Sequence, residues 1–149
     1  MYLIAICVVG CFVLIFGLKR MKQLRDRREL EEFSIEPEAL HDLLEKDKGL
    51  LIFDVRLPLD FLAHSEIIPG ATRVAPSDVA KQPSLIPKEK DSVVYCTCPS
   101  DKTSRMILKR ARALKFSRIK FLRGGFAGWK AKGYPVELYT KPFHLDTAQ

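Results

Sequence analysis

Two cysteines one residue apart, Cys96 and Cys98, stand where an apolar run gives way to a polar segment: Val93-Val94-Tyr95-Cys96-Thr97-Cys98-Pro99-Ser100-Asp101-Lys102-Thr103-Ser104. The apolar run reads as a buried strand, and the residues from about Thr103 read as a helix, so both thiols fall on the connecting loop. In open α/β sheets, reactive groups gather at the carboxyl ends of the strands. A cysteine facing backbone N–H groups at a helix N-terminus has its thiolate stabilised by those amides and by the helix dipole, which depresses its pKa. The same field stabilises a persulfide anion and makes the sulfur a nucleophile near neutral pH. The plainer alternative is that Cys96 only closes a buried strand, as unreactive cysteines often do.

Other chemistries are weaker. No His or Cys stands at zinc-ligand spacing around the pair, which argues against a metal site. Phosphatases of the Cys-x5-Arg type need an arginine to hold a phosphate dianion bidentately, and neither Cys96 nor Cys98 has one six positions on. A dithiol redox role stays open, because a Cys-x-Cys ring is small and strained and its disulfide would be oxidising. Asp54 and Arg56 read as a structural ion pair and cap network at another strand end, with Asp60 as a third member, rather than as an acid–base couple. His41 falls on a polar helix face and His144 in the tail, so neither suits catalysis. His64 reads as a hydrogen-bonded structural residue, and Phe126 and Trp129 as core.

The elements that position these residues alternate between strand and helix. Pro37 opens a helix whose apolar face is Leu40, Leu43 and Leu44, ending at Lys48-Gly49. Leu50 to Phe53 is a continuous apolar run of the kind buried on both faces of a parallel sheet. A short helix over Pro58–Ala63, a turn at Ile68-Pro69-Gly70-Ala71 and a strand at 72–74 follow. Pro76, Pro83 and Pro87 break the next stretch into loop and brief helix. Ser92–Tyr95 is the strand before the thiols. A helix from about Thr103 to Lys115, a strand over Arg118–Leu122 and a helix from Gly124-Gly125 through Trp129 complete the pattern, with Gly133 as its stop. Alternation of this kind predicts α/β architecture with a mostly parallel sheet.

The N-terminus has a different character. Tyr2 to Leu18 contains no charged residue, and Lys19, Arg20, Lys22, Arg25, Arg27 and Arg28 follow against the single acid Asp26. The chain's net charge of +7 is therefore concentrated in this flank, which removes most of the support for nucleic-acid binding. Seventeen residues of helix span roughly 26 Å, near the lower limit for a bilayer core of about 30 Å. Basic residues after the apolar run, not before it, oppose a cleaved signal peptide. Val8-Val9-Gly10-Cys11 only loosely matches a lipobox, because the apolar run continues beyond Cys11. Cys7 and Cys11 share one helix face and read as small packing residues. The expected organisation is a transmembrane signal anchor over 1–18, a charged stalk over 19–32, one α/β domain over 33–140 and a tail over 141–149. The basic flank predicts a single-pass membrane protein with its domain facing the cytoplasm.

From about Phe33 to Leu138 the chain resembles the rhodanese-like domain family. The resemblance rests on Phe53-Asp54-Val55-Arg56 with Asp60-Phe61, on Ile68-Pro69-Gly70-Ala71, on Val94-Tyr95-Cys96, and on Leu122-Arg123-Gly124-Gly125-Phe126-Ala127-Gly128-Trp129 with Gly133-Tyr134-Pro135-Val136, in that order. It implies a three-layer domain with a five-stranded parallel sheet and no metal or organic cofactor. It also implies a cysteine that takes sulfane sulfur from thiosulfate or a protein persulfide and passes it to a thiol acceptor. The family's loop has a cysteine, four residues, often an arginine, and a serine at the helix start. Here the loop from Cys96 through Thr97, Cys98, Pro99, Ser100, Asp101, Lys102, Thr103 and Ser104 is about two residues longer and lacks the glycine and the arginine. Counting back from Phe116 puts Cys98 at the family's cysteine position and Ser104 at its serine. Cys96 directly follows the Val-Val-Tyr strand and is the preferred nucleophile, with Cys98 as a second or alternative thiol. The Cys-x-Cys-Pro arrangement is similar to a subgroup of membrane-anchored bacterial rhodaneses. Without the loop arginine, capture of thiosulfate is weakened, and Lys102 and Arg105 are the nearest substitutes. A catalytically silent binding module on the same fold is the remaining alternative.

Overall fold

A computed structural model of the chain describes residues 2–97 and 110–142, without the side chains of 2–9, 29 and 30. The chain divides into two compact units, 1–32 and 33–149.

The first unit is one helix, α1 (Tyr2–Glu32). The transmembrane anchor expected over 1–18 is not found, because among the described residues no helix is long and apolar enough to cross a membrane. The apolar run explains why. It stops at Leu18, and the helix turns charged at Lys19. No described stretch stays apolar over the width of a bilayer.

In the second unit the order is β1 (Ser34–Ile35), α2 (Pro37–Lys46), β2 (Leu51–Asp54), α3 (Pro58–Ala63), β3 (Glu66–Ile67), β4 (Thr72–Arg73) and α4 (Pro76–Lys81). A 3-10 turn (Pro83–Leu85), β5 (Ser92–Tyr95), β6 (Ile119–Leu122), α5 (Gly125–Ala131) and β7 (Glu137–Leu138) complete it. Five strands form one sheet in the order β1-β6-β5-β2-β4. Every pairing in it is parallel. Of the helix expected over 103–115, residues 110–113 are helical and the earlier part lies outside the described residues. Helices α2, α3 and α4 each begin with a proline in the first turn, where the missing N–H costs nothing.

Strand β5 is buried at all four positions, as a central strand covered on both sides must be. On one face Ile52, Val93, Tyr95 and Leu122 pack with Leu40, Phe126 and Trp129. Alternation sends the register partners Phe53, Val94 and Phe121 to the other face. Trp129 is core, and its indole N–H donates to the Pro135 carbonyl at 2.7 Å. His41 corrects the polar-face expectation. It is half-buried on the side of α2 that carries Pro37, Leu40 and Leu44, and its ring stacks on Tyr134 at 4.5 Å and 18°, whereas Leu43, expected on the apolar face, is exposed. A small antiparallel pair, β3 with β7, was not expected.

Candidate active site at the carboxyl edge of the sheet

Strands β2 and β5 are register partners throughout, and they end together at Asp54 and Tyr95. Cys96, a half-buried thiol, is the first residue beyond β5. The edge is closed behind it by backbone. The Val55 N–H donates to the Tyr95 carbonyl at 2.9 Å, and the Phe126 N–H donates to the Cys96 carbonyl at 3.0 Å. The N-terminal turn of α5 therefore reaches the cysteine's own peptide. Gly124 makes this possible by entering the helix with φ +72°, a left-handed conformation that glycine adopts without steric cost.

Beneath the edge lies a buried polar network. Asp54 and Arg56 are 0% and 1% exposed. The Arg56 guanidinium donates from Nη2 to Asp54 Oδ2 at 2.6 Å and from Nε to both carboxylate oxygens at 2.9 and 3.1 Å. It also donates to the carbonyls of His64 at 2.9 Å and Glu66 at 2.6 Å. One planar fork thus ties the end of β2 to the segment entering β3, a geometry a lysine could not reproduce. Its flat face lies 4.1 Å from the centre of the Phe126 ring and 4.9 Å from that of Phe61. The Tyr95 hydroxyl donates to Asp54 Oδ2 at 3.0 Å and accepts from the Ile68 N–H at 3.2 Å. Burial, and then the neighbouring Asp54 carboxylate, push the Tyr95 phenol well above its ordinary pKa. Arg73, across β2 from Tyr95, donates to the carbonyls of Asp54 at 3.0 Å and Val74 at 2.9 Å. Burial lowers its pKa, with Asp54 acting against the shift.

The sequence-predicted residues fall into three groups. Asp54, Arg56 and Cys96 meet at one edge of the sheet. Asp60 sits half-exposed in α3 and is not among the described partners of the Asp54–Arg56 pair. Cys98, Pro99, Ser100, Asp101, Lys102, Thr103 and Ser104 lie outside the described residues, as does Arg105. Thr97 is described, and its buried hydroxyl has no hydrogen-bond partner among the described residues. His64 contributes its carbonyl, while its side chain is exposed. Sequence reading missed the Tyr95 hydroxyl, Arg73 and the contact of α5 with Cys96. Only the last had a signal, since paired glycines before a helix mark a close backbone approach. A cavity of about 420 Å³ lined by His41, Leu50, Pro69, Trp129 and Pro135 contains neither Cys96 nor the buried pair.

Comparison with known proteins agrees with this geometry. A family model described as Rhodanese-like domain matches residues 36–132. A protein of Allochromatium vinosum named Sulfurtransferase is 28% identical over 102 residues, which is 68% of this chain and 92% of that protein. The solution structure of the rhodanese-like domain of the Alr3790 protein from Anabaena sp. has a TM-score of 0.58 at 26% identity, covering 78% of this chain and 89% of its own. A rhodanese-related protein from Thermoplasma volcanium has a TM-score of 0.57 at 21% identity, covering 71% of this chain and 98% of its own, and supports the fold alone.

Proposed function

This chain belongs to the rhodanese-like domain family, and from that premise we propose that it is a sulfurtransferase whose Cys96 carries sulfane sulfur as a persulfide. The observation that carries the reading is the placement of Cys96 one residue beyond the central strand, with its carbonyl held by the Phe126 N–H. In the first step the Cys96 thiolate attacks the outer sulfur of a protein persulfide, R–S–SH. A new S–S bond forms at Cys96, the donor's S–S bond breaks, and R–S⁻ leaves with the electron pair. With thiosulfate the leaving group is sulfite and Cys96 is left as Cys–S–S⁻. In the second step an acceptor thiolate attacks the outer sulfur and releases Cys96 as a thiolate. The missing loop arginine favours the protein persulfide over the thiosulfate dianion.

Mass analysis of the full-length chain after incubation with a persulfide donor tests this reading. One added sulfur, roughly 32 Da, is expected at Cys96. Cys96→Ser abolishes the adduct, while Cys98→Ser keeps it. An adduct at Cys98 that survives Cys96→Ser moves the nucleophile by two residues. Reversible loss of two thiols would mark a dithiol redox protein, and two inert thiols a binding module.

The N-terminal segment is proposed to tether this activity to a membrane, with the domain on the cytoplasmic side. The consecutive residues Phe12, Val13, Leu14, Ile15 and Phe16 are all 51–73% exposed, so α1 is apolar around its whole circumference there, unlike an amphipathic surface helix. The basic residues from Lys19 set the side. The full chain should remain with membranes after a high-salt wash, and a chain that washes off would remove the tether.

A further inference from the structure

The contact between α5 and Cys96 is tighter than its hydrogen bond alone. Gly125 has φ +55°, and a Cβ placed on it would lie 2.1 Å from the Cys96 carbonyl oxygen and 3.2 Å from the carbonyl carbon. The obstruction is backbone, so no side chain can swing aside to relieve it. The Cys96 carbonyl is thus seated in the gap left by the absent Gly125 side chain, and the Phe126 N–H donates into it from the next residue at 3.0 Å. On the strand side the preceding carbonyl, of Tyr95, is held by the Val55 N–H. Both peptide planes flanking the Cys96 Cα are therefore fixed. The direction of the Cys96 Cα–Cβ bond that carries the thiol, and the direction in which the chain departs toward Thr97, follow from them.

We propose that Gly125 is a positioning residue for sulfur transfer: by leaving room for the Cys96 carbonyl it sets the orientation of the cysteine at the end of β5. The proposal rests on Cys96 being the sulfur carrier. It differs from a general demand for glycine at positive φ, because Gly133 supplies a matched control. Gly133 has φ +73°, and a Cβ there meets nothing within 4 Å. Alanine at either position carries the left-handed backbone penalty, but only at 125 does it displace the cysteine peptide.

The experiment uses the full-length chain with Cys98→Ser throughout and compares Gly125→Ala with Gly133→Ala. Two readouts are taken: sulfur uptake from glutathione persulfide, and the pH midpoint of Cys96 alkylation by iodoacetamide. Gly133→Ala should stay within about twofold of the parent in uptake and keep its pH midpoint, since its change is remote from the thiol. Gly125→Ala should take up sulfur at least about tenfold more slowly, with the alkylation midpoint moved upward, because misplacing a reacting group by an ångström costs rate steeply. A folded Gly125→Ala with parental uptake and midpoint overturns the proposal. If Gly125→Ala does not fold, the amide resonances of the parent decide. Loading Cys96 with sulfur, or alkylating it, should shift the Phe126 amide and leave Gly133 in place, and an unmoved Phe126 resonance overturns it. A Cys98→Ser parent that takes up no sulfur sinks the reading of Cys96 as the sulfur carrier, while the alkylation midpoint still reports on Gly125.

Discussion

Two aspartate–arginine pairs of the same chemical kind stand at opposite ends of the sheet's central strands. At the amino end, Asp91 precedes β5 and Arg118 precedes β6. Arg118 donates from Nε and Nη2 to the two Asp91 oxygens at 2.9 and 2.8 Å. At the carboxyl end, Arg56 makes the comparable fork to Asp54. The first pair is 53% and 60% exposed, and the second 1% and 0%. The geometry is alike and the setting is not. In water an ion pair of this type contributes little, because both groups are well solvated when apart. In the interior each charge has lost its water, and the pair persists only if the rest of the guanidinium is hydrogen-bonded too. Arg56 meets that condition by also serving the carbonyls of His64 and Glu66. The costly polar structure is thus placed at the edge that carries Cys96, and the dispensable pair at the edge that carries no thiol among the described residues.

The strongest test of this contrast is to remove one arginine at each end. Arg56→Met leaves a buried carboxylate without its counter-charge and takes the guanidinium away from two carbonyls, and should cost about 3–5 kcal/mol in urea unfolding. Arg56→Lys should recover little of it, since one ammonium cannot reach Asp54, His64 and Glu66 together. Arg118→Lys should move the midpoint hardly at all. Equal losses at the two ends would break the comparison.

A smaller effect is expected at Tyr95, whose hydroxyl joins Asp54 to the Ile68 N–H. Tyr95→Phe deprives both of a partner and should cost about 1–3 kcal/mol near neutral pH. The pH dependence identifies the cause. The folded-state pKa is raised, so the fold favours the protonated phenol. Its contribution is complete below the unfolded value of about 10 and is lost as pH rises from there toward the folded value. The stability difference between wild type and Tyr95→Phe should therefore be flat from pH 7 to about 9 and shrink above pH 10. A difference that stays constant into the alkaline range would show that the hydroxyl is not buried as described.

What could be read in the sequence follows the range of the interaction concerned. The helix at Pro58–Ala63 and the strand at Ser92–Tyr95 were legible residue for residue, because a proline at a helix start and an unbroken apolar run are local signals. The Asp54–Arg56 pair was legible too, being two residues apart at a strand end. Strands β1, β3 and β7 were not. Each is two residues long and exists because a distant segment offers hydrogen bonds, as when the Arg123 N–H donates to the Ile35 carbonyl at 2.9 Å. The same applies at the candidate site. The Tyr95 hydroxyl finds a carboxylate 41 positions away, and no pattern around Val93-Val94-Tyr95 distinguishes that tyrosine from an ordinary strand aromatic. The resemblance pointed to the thiol; the support beneath it depends on long-range contacts that only the fold brings together.

The smallest effect belongs to the exposed pair, and its sign and salt dependence make it informative. The hydrogen bond from Arg118 holds the Asp91 carboxyl below its ordinary value of 3.8; desolvation is the next effect and opposes it, and the charges of Arg118 and then Lys120 add to the lowering. The fold therefore favours the ionised form. Its contribution is present above the unfolded pKa and is lost as pH falls through the lower folded value, so it should be intact at pH 7 and decline below about pH 4. Asp91→Asn should lower the melting temperature slightly at pH 7 in dilute buffer, and the gap should close in acid. It should also close in about 1 M salt, where the screening length falls to roughly 3 Å. The Asp54–Arg56 pair, shut away from ions, should give the same destabilisation for Arg56→Met in dilute buffer and in high salt. If the Asp91→Asn gap survives high salt, the amino-end pair is shielded from solvent in solution, and the two ends of the sheet are more alike than their exposures indicate.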